Sequence, residues 1–322
     1  MGQLPVFRGR SLFGGLLCGL TVSLTPMCRS SAAEPAKLAV VPTATTGTTG
    51  PFRALAPGVE ITIPPDRQEE ETFSTHDMVE ILQGIPDLDW KPQLSPSRTL
   101  REMATQTVFR RGIWCLEISF KPVRMIWVDV PQASGQMQRK LIWYLVYHVK
   151  NAGGHLKPAR QADGTHDAQS VDHEVRFFPQ FVLESHEYPK AYLDRIIPVA
   201  IPAIQRREDP SRRLLNSVEI GSKPIPVSSE LVDKSVWGVA TWEDVDPRID
   251  YFSVAVQGLT NAYKWVDPPG AFKPGDPPAK GRQLQQKTLD LNFWRPGDEY
   301  VEDLRIIHYG IPGKVDYRWV YR

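Results

Sequence analysis

The chain has 322 residues, 38 basic against 37 acidic, with 41% hydrophobic residues, 29 prolines, nine tryptophans and three cysteines. That length accommodates one large domain or two to three of about 100–200 residues each. A formal charge of +1 excludes the electrostatic footprint of a nucleic-acid partner, and 23 glycines with the 29 prolines fall short of a low-complexity chain.

Arg8 and Arg10 precede the apolar stretch Ser11 to Leu24, which breaks at Pro26 and is followed by Ser31 and Ala33. A basic start, about 7–15 apolar residues and small residues at −3 and −1 are the layout of a secretory signal peptide, with cleavage after Ala33. The stretch is shorter than the roughly 20 apolar residues of a membrane span, and no later segment reads as one. Removing residues 1–33 takes away Arg8, Arg10, Arg29, Cys18 and Cys28 and no acid, leaving 35 basic against 37 acidic residues and Cys115 as the one thiol. An intramolecular disulfide is then impossible. Cys115 lies within Ile113-Trp114-Cys115-Leu116 with no basic neighbour to favour its thiolate, which reads as an inert, partly buried thiol.

Residues 34–71 are rich in Ala, Pro, Thr and Gly and then in charge, the composition of a flexible tether. Residues 72–110 read as a short helical segment. Ser74 or Thr75 caps a helix over 76–83, closed by Gly84, and Ser97 caps a second over 98–105. Two such helices have no core of their own, so they are expected to pack on the strands beyond residue 110.

From residue 111 the pattern has period two. Trp114, Leu116, Ile118 and Phe120 form one apolar face, and Ile126, Val128 and Val130 another before Pro131. Ala133-Ser134-Gly135 reads as a turn, and Leu141 to Val149 is apolar on both faces, as in a central strand covered on both sides. A long loop is expected over 151–171. Beyond it come Val175, Phe177, Phe181 and Leu183, and then a segment over 188–207 that Pro189, Pro198 and Pro202 limit to short helical turns. Strand grammar resumes at Val236 to Trp242, Tyr251 to Gln257 and Thr288 to Phe293, the last ending at the turn Arg295-Pro296-Gly297-Asp298. Val301 to His308 and Val315 to Tyr321 are the final expected strands. Many short strands separated by Pro, Gly and Asp turns predict a mainly β chain of antiparallel sheets packed as a sandwich, with long loops and a few short helices, over 111–322, with a possible split near 210–230.

The order of Trp143-Tyr144-Leu145-Val146-Tyr147-His148-Val149-Lys150-Asn151, then Phe178-Pro179-Gln180-Phe181-Val182-Leu183, Trp237-Gly238-Val239-Ala240-Thr241-Trp242 and Asp250-Tyr251-Phe252-Ser253-Val254-Ala255-Val256 resembles the strand sequence of immunoglobulin-like domains in secreted bacterial proteins. It is also similar to a family of exported bacterial proteins of unknown function. The resemblance covers about residues 110–260 and implies an immunoglobulin-like β-sandwich in the periplasm or outside the cell; it transfers no functional residue.

Chemistry has a few places to lie. His155, His166, Asp167, Asp172, His173 and Glu174 fall within or beside the loop over 155–174 and offer imidazole and carboxylate ligands for a divalent ion, the basis of a metal-dependent hydrolase. No zinc spacing is present, since His186-Glu187 is not followed by the second histidine of H-E-x-x-H, and a solvated polar loop accounts for the same residues. Glu243, Asp244, Asp246 and Asp250 place oxygens together as a calcium loop does, but Asp-x-Asp-Pro is also ordinary turn chemistry. Arg206 to Arg213 reads as a surface turn. The nucleophile elbow, the phosphate loop and the dinucleotide turn are absent. Trp265 near Tyr263, Trp294 and Trp319 are the aromatics expected at the surface, where a row would stack on sugar rings; a sandwich without a disulfide would instead bury most of them. The expectation is an exported, non-catalytic module binding an unknown protein or cell-surface component, with no catalytic residue, metal or cofactor assigned. A carbohydrate-binding module is the first alternative and the metal-dependent hydrolase the second.

Overall fold

The computed structural model describes residues 59–74, 108–271, 280–303 and 306–322, and within them the chain is mainly β, with antiparallel sheets and few helices. In chain order come β1 (Ile61–Ile63), a 3-10 turn (Glu69–Thr72), β2 (Phe73–Ser74), β3 (Phe109–Arg110), β4 (Glu117–Phe120), β5 (Arg124–Pro131), β6 (Met137–Lys150), β7 (His155–Arg160), β8 (His166–Val171), β9 (Val175–Arg176), β10 (Gln180–Ser185) and β11 (Ala191–Leu193). Helices α1 (Ala200–Glu208) and α2 (Ser217–Gly221) come next, then β12 (Pro224–Ile225), β13 (Val236–Trp242), β14 (Tyr251–Gln257), β15 (Tyr263–Val266), β16 (Gln283–Trp294), β17 (His308–Tyr309) and β18 (Tyr317–Tyr321).

The first sheet is organised by β6. It pairs with β13 (Val239 opposite Val146), with β4 (Phe120 opposite Tyr147) and, further along, with β5 (Trp127 opposite Leu141), while β1 adds to β4. The second sheet runs β11-β10-β14-β16, and β15, β17 and β18 also pair with β16. Both sheets send residues into one core. Trp143, Leu145, Tyr147 and Val149 of β6 meet Phe181, Leu183, Phe252, Val254, Leu289 and Phe293. Rings make contact across it, Trp143 with Phe252 at 5.5 Å, Tyr147 with Phe181 at 4.7 Å and Phe120 with Phe293 at 6.2 Å. Each such burial contributes roughly 1.5–3 kcal/mol.

The other face of β6 is covered too. Ile142, Tyr144 and Val146 pack with Val239 under Ile197, Ala200 and Ile204 at α1, and Ile126, Val128 and Val130 of β5 join them. The two-sided apolar run thus has a cover on each side, a core on one and a helix on the other. Pro202 does not break α1, because it is the third residue, in the first turn, where amide hydrogens have no partner within the helix. The expected short turns over 188–207 are therefore a strand, β11, followed by a nine-residue helix.

Other expectations are corrected. The carboxy-terminal part of the expected tether is built into the fold, since β1 pairs with β4 and Glu71, 5% exposed, receives the Lys287 ammonium at 2.6 Å. Lys287 also meets Asp66 at 2.9 Å, and Tyr321 donates to the same Glu71 carboxylate. The expected loop over 151–171 is largely a hairpin of β7 and β8, with His155 opposite Val171 and Arg160 opposite His166. Polar residues fall on both faces of its strands, so the backbone ladder orders them without an apolar alternation to announce it. Of the expected strand from Val301 to His308, residues 301–303 form no strand, and among the described residues the pairing begins at His308, with His308–Tyr309 against β16. Neither sheet stops at 210–230. The first contains β1 to β6 members together with β13, and the second contains β10 and β11 together with β14 to β18, so the strands interleave across the expected split. The signal peptide, the tether as far as residue 58 and the two expected helices over 76–83 and 98–105 lie outside the described residues; β2 and β3, on either side of the last two, pair with each other. No helix among the described residues is long and apolar enough to cross a membrane.

Candidate functional site

The inner face of the β5–β6 hairpin leads from core to surface. Met125 and Trp143 pair across the two strands and pack on the core with Leu141. One step further on the same face, Trp127 stands opposite Leu141 and is 38% exposed, with Arg139 beside it. The alternation of β5 explains the contrast, because Ile126, Val128 and Val130 point under α1 while the odd positions point the other way.

Facing this hairpin are Lys190 and Tyr192 at β11, Asp244 to Pro247 between β13 and β14, and Glu302. Together they enclose a cleft of about 510 Å³ with Trp143 and Val245 in its floor. Its wall carries three cations, Arg139, Lys140 and Lys190, and three carboxylates, Asp244, Asp246 and Glu302. Most are paired among themselves. Lys140 lies 2.8 Å from Asp244 and 3.2 Å from Glu243, and Lys190 lies 2.6 Å from Asp246. Arg248 grips Asp246 with two nitrogens at 2.8 and 3.0 Å, and the Arg195 guanidinium meets Glu243. The Arg248 fork, reinforced by Lys190, holds the Asp246 carboxyl well below the usual carboxylate range, and bonds to Asp244 and Asp246 raise the Lys140 and Lys190 ammoniums above theirs. Tyr192 accepts the Asp246 amide hydrogen at 3.1 Å, which leaves its own hydroxyl proton to be donated. Trp127 is oriented by its indole Nε1–H, which donates to Asp303 at 2.8 Å, and the Arg139 guanidinium lies 5.5 Å from its ring centre. Among the described residues neither Arg139 nor Glu302 has an opposite charge within ion-pair distance of its side chain.

The acidic run expected as a calcium loop or turn is therefore a turn locked by cations. Glu243, Asp244 and Asp246 each face lysine or arginine, and the fourth acid, Asp250, accepts the Gly297 amide hydrogen. Asp244 adopts a φ of +56°, a left-handed conformation that aspartate tolerates better than most residues.

Of the histidine group, the structure brings His155 and His173 together, ring centres 4.5 Å apart, and holds His166 away. His166 stands opposite Arg160, five residue steps or about 17 Å along the hairpin from His155. Asp172 accepts the Gly154 amide hydrogen at 2.7 Å, and Asn151, fully buried, ties the region by donating to the His173 and Ile225 carbonyls at 2.9 and 3.0 Å. Burial, with the neighbouring His173 and Arg67 charges, pushes His155 down to about 4. Among the described residues no group of three or more His, Cys, Asp or Glu is placed to hold a metal ion.

Two polar clusters were not legible in the sequence. On the outer face of the second sheet, His186 Nε2, Ser253 Oγ and Asn292 Oδ1 are linked. Asn292 donates its amide to the Val315 carbonyl at 2.8 Å, so its oxygen faces Ser253 and takes the hydroxyl proton at 3.1 Å. His186 must then donate to Ser253, the reverse of what a nucleophilic serine needs from its base. The second cluster centres on Glu208, which takes a proton from Tyr144 at 2.7 Å and faces Arg124 at 3.0 Å and Lys121 at 3.4 Å. Glu208 is thus buried beneath the run expected as a surface turn. Cys115 is buried, and burial pushes its thiol up to about 12, as an inert thiol requires.

The tryptophans expected at the surface are not the exposed ones. Trp294 is 9% exposed and stacks on His308 at 5.0 Å. Trp319 and Trp265 are half-buried, the first against the core and the second edge-on to Tyr263 at 6.2 Å. Trp127 is the exposed tryptophan among the described residues. Its position opposite in parity to Ile126, Val128 and Val130 is the one signal in the sequence that marks it.

No protein-family model matches the chain, and no curated protein and no solved structure is significantly similar to it.

Proposed function

We propose that the chain is an exported, non-catalytic bacterial protein of immunoglobulin-like β-sandwich architecture, which binds a component of the envelope or extracellular space at the Trp127 cleft. Export rests on the layout of residues 1–33, and the sandwich on two antiparallel sheets that share one core. The observation that carries the binding role is Trp127 itself. An indole 38% exposed, held by Asp303 and set in the wall of a cleft of about 510 Å³, is the combination of aromatic anchor and concavity that recognition sites use. The Glu208 cluster and the linked His186, Ser253 and Asn292 are engaged in internal hydrogen bonds and ion pairs, which suits a scaffold more than a reaction centre.

The test is co-sedimentation of the purified chain with isolated cell envelopes. Trp127→Ala should abolish sedimentation while leaving the thermal midpoint within a few degrees of the parent, since an exposed side chain contributes little to the core. Undiminished sedimentation of the variant removes the cleft from the function. Export is checked separately, by finding Glu34 at the amino terminus of protein recovered from outside the cytoplasm.

A further inference from the structure

Resting on that binding role, we infer that the ligand of the Trp127 cleft is a neutral saccharide, stacked on the indole and hydrogen-bonded by the side chains around it. The wall carries three cations and three carboxylates, so it has no net field with which to select an ion.

What remains available at the surface of the cleft is planar and mixed in sense. Arg139 offers a fork of donors, Glu302 two acceptor oxygens, Gln138 one of each, and Tyr192 a free hydroxyl proton, all in the same cleft as the Trp127 ring. Vicinal hydroxyls donate and accept at once, and therefore match such a set; an apolar or singly charged partner does not. The C–H face of a pyranose ring supplies the apolar surface that an indole face takes up. The Asp303 hydrogen bond holds the indole in one orientation, so little ordering entropy is lost on stacking. The cleft, at about 510 Å³, also lies within the usual size of small-ligand sites.

Native affinity electrophoresis of the full chain tests this, with hydroxyethylcellulose, xylan, laminarin and galactomannan as neutral polymers and dextran sulfate and polylysine as ionic ones. At least one neutral polymer should retard the chain, and Trp127→Ala should weaken that retardation at least about tenfold, with Trp127→Phe intermediate. Retardation should be unchanged between about 0.05 and 0.5 M salt, because charge screening does not act on a neutral ligand. No retardation by any neutral polymer, or retardation that salt erodes or that Trp127→Ala leaves intact, overturns the inference. Failure of the saccharide assignment is distinguishable from failure of the binding role. If envelope co-sedimentation is lost in Trp127→Ala while the neutral polymers leave the parent unretarded, the cleft binds something other than a neutral saccharide. If Trp127→Ala changes neither assay, both readings fall.

Discussion

Replacing His155 by phenylalanine should remove a defined portion of the pH dependence of stability. The imidazole is 0% exposed and lies 4.5 Å from the His173 ring, with Arg67 close enough to add to its difficulty in taking a proton. In the folded chain it titrates at about 4, against 6.5 for an unperturbed histidine. Between those values the unfolded chain holds the proton and the folded chain does not, so stability falls as pH is lowered. The contribution is fully present above pH 6.5, declines through the interval and is exhausted at about 4. At 1.36 kcal/mol per unit, the interval corresponds to about 3 kcal/mol. Urea unfolding followed by tryptophan fluorescence, at steps from about pH 7.5 to 4, measures this directly. Carboxylates titrate in the same range, so the quantity to read is the difference between parent and variant, in which they cancel. The parent should lose about 3 kcal/mol more than the variant over that interval. Parallel curves across the whole interval would show that His155 is protonated in the fold and that its burial has been misjudged.

Gly258→Ala should be severely destabilising, by about 3 kcal/mol or more, because φ is +89° and the added carbon falls 2.1 Å from the Phe178 carbonyl oxygen. Gly135→Ala is its control, with φ of +83° but open space around it, and should cost only about 1–2 kcal/mol in the same urea titration. Lys287→Met should cost about 3 kcal/mol by leaving the buried Glu71 carboxylate without its cation, and Glu71→Met in the same chain should recover a large part of that loss, as a double-mutant cycle would show. Equal, additive losses would mean that the pair is not coupled.

How much could be read beforehand depended on how each element is stabilised. Strand β6 was legible because Leu141 to Val149 is apolar on both faces, and the structure covers both, with the second sheet on one side and α1 on the other. The parity of Ile126, Val128 and Val130 in β5 was legible for the same reason. The β7–β8 hairpin was not, because Lys157, Arg160, Asp167, Gln169 and Ser170 give no alternation and its order comes from backbone pairing. Residues 61–71 read as tether because three strand residues and a buried glutamate carry no local signal; the cation that makes Glu71 tolerable lies in β16, 216 residues away. The cleft was illegible as a unit. Its walls come from β5, β6, β11, the turn after β13 and Glu302, and no spacing in the chain links them. The aromatic expectation failed in its particulars because exposure is decided by which strand face meets the other sheet. Trp294 lies beneath His308 while Trp127 stands beyond the last covered position of its face.

Oxidative footprinting of the chain, free and bound to isolated envelopes, asks whether the Trp127 cleft is the surface that binds. It compares the cleft with exposed apolar side chains outside it, Phe178 and Val218, which are 68% and 71% exposed. Binding at the cleft should protect Trp127 and Tyr192 and leave Phe178 and Val218 as reactive as before. Trp127 equally reactive in both states, with protection at Phe178 and Val218, would contradict it.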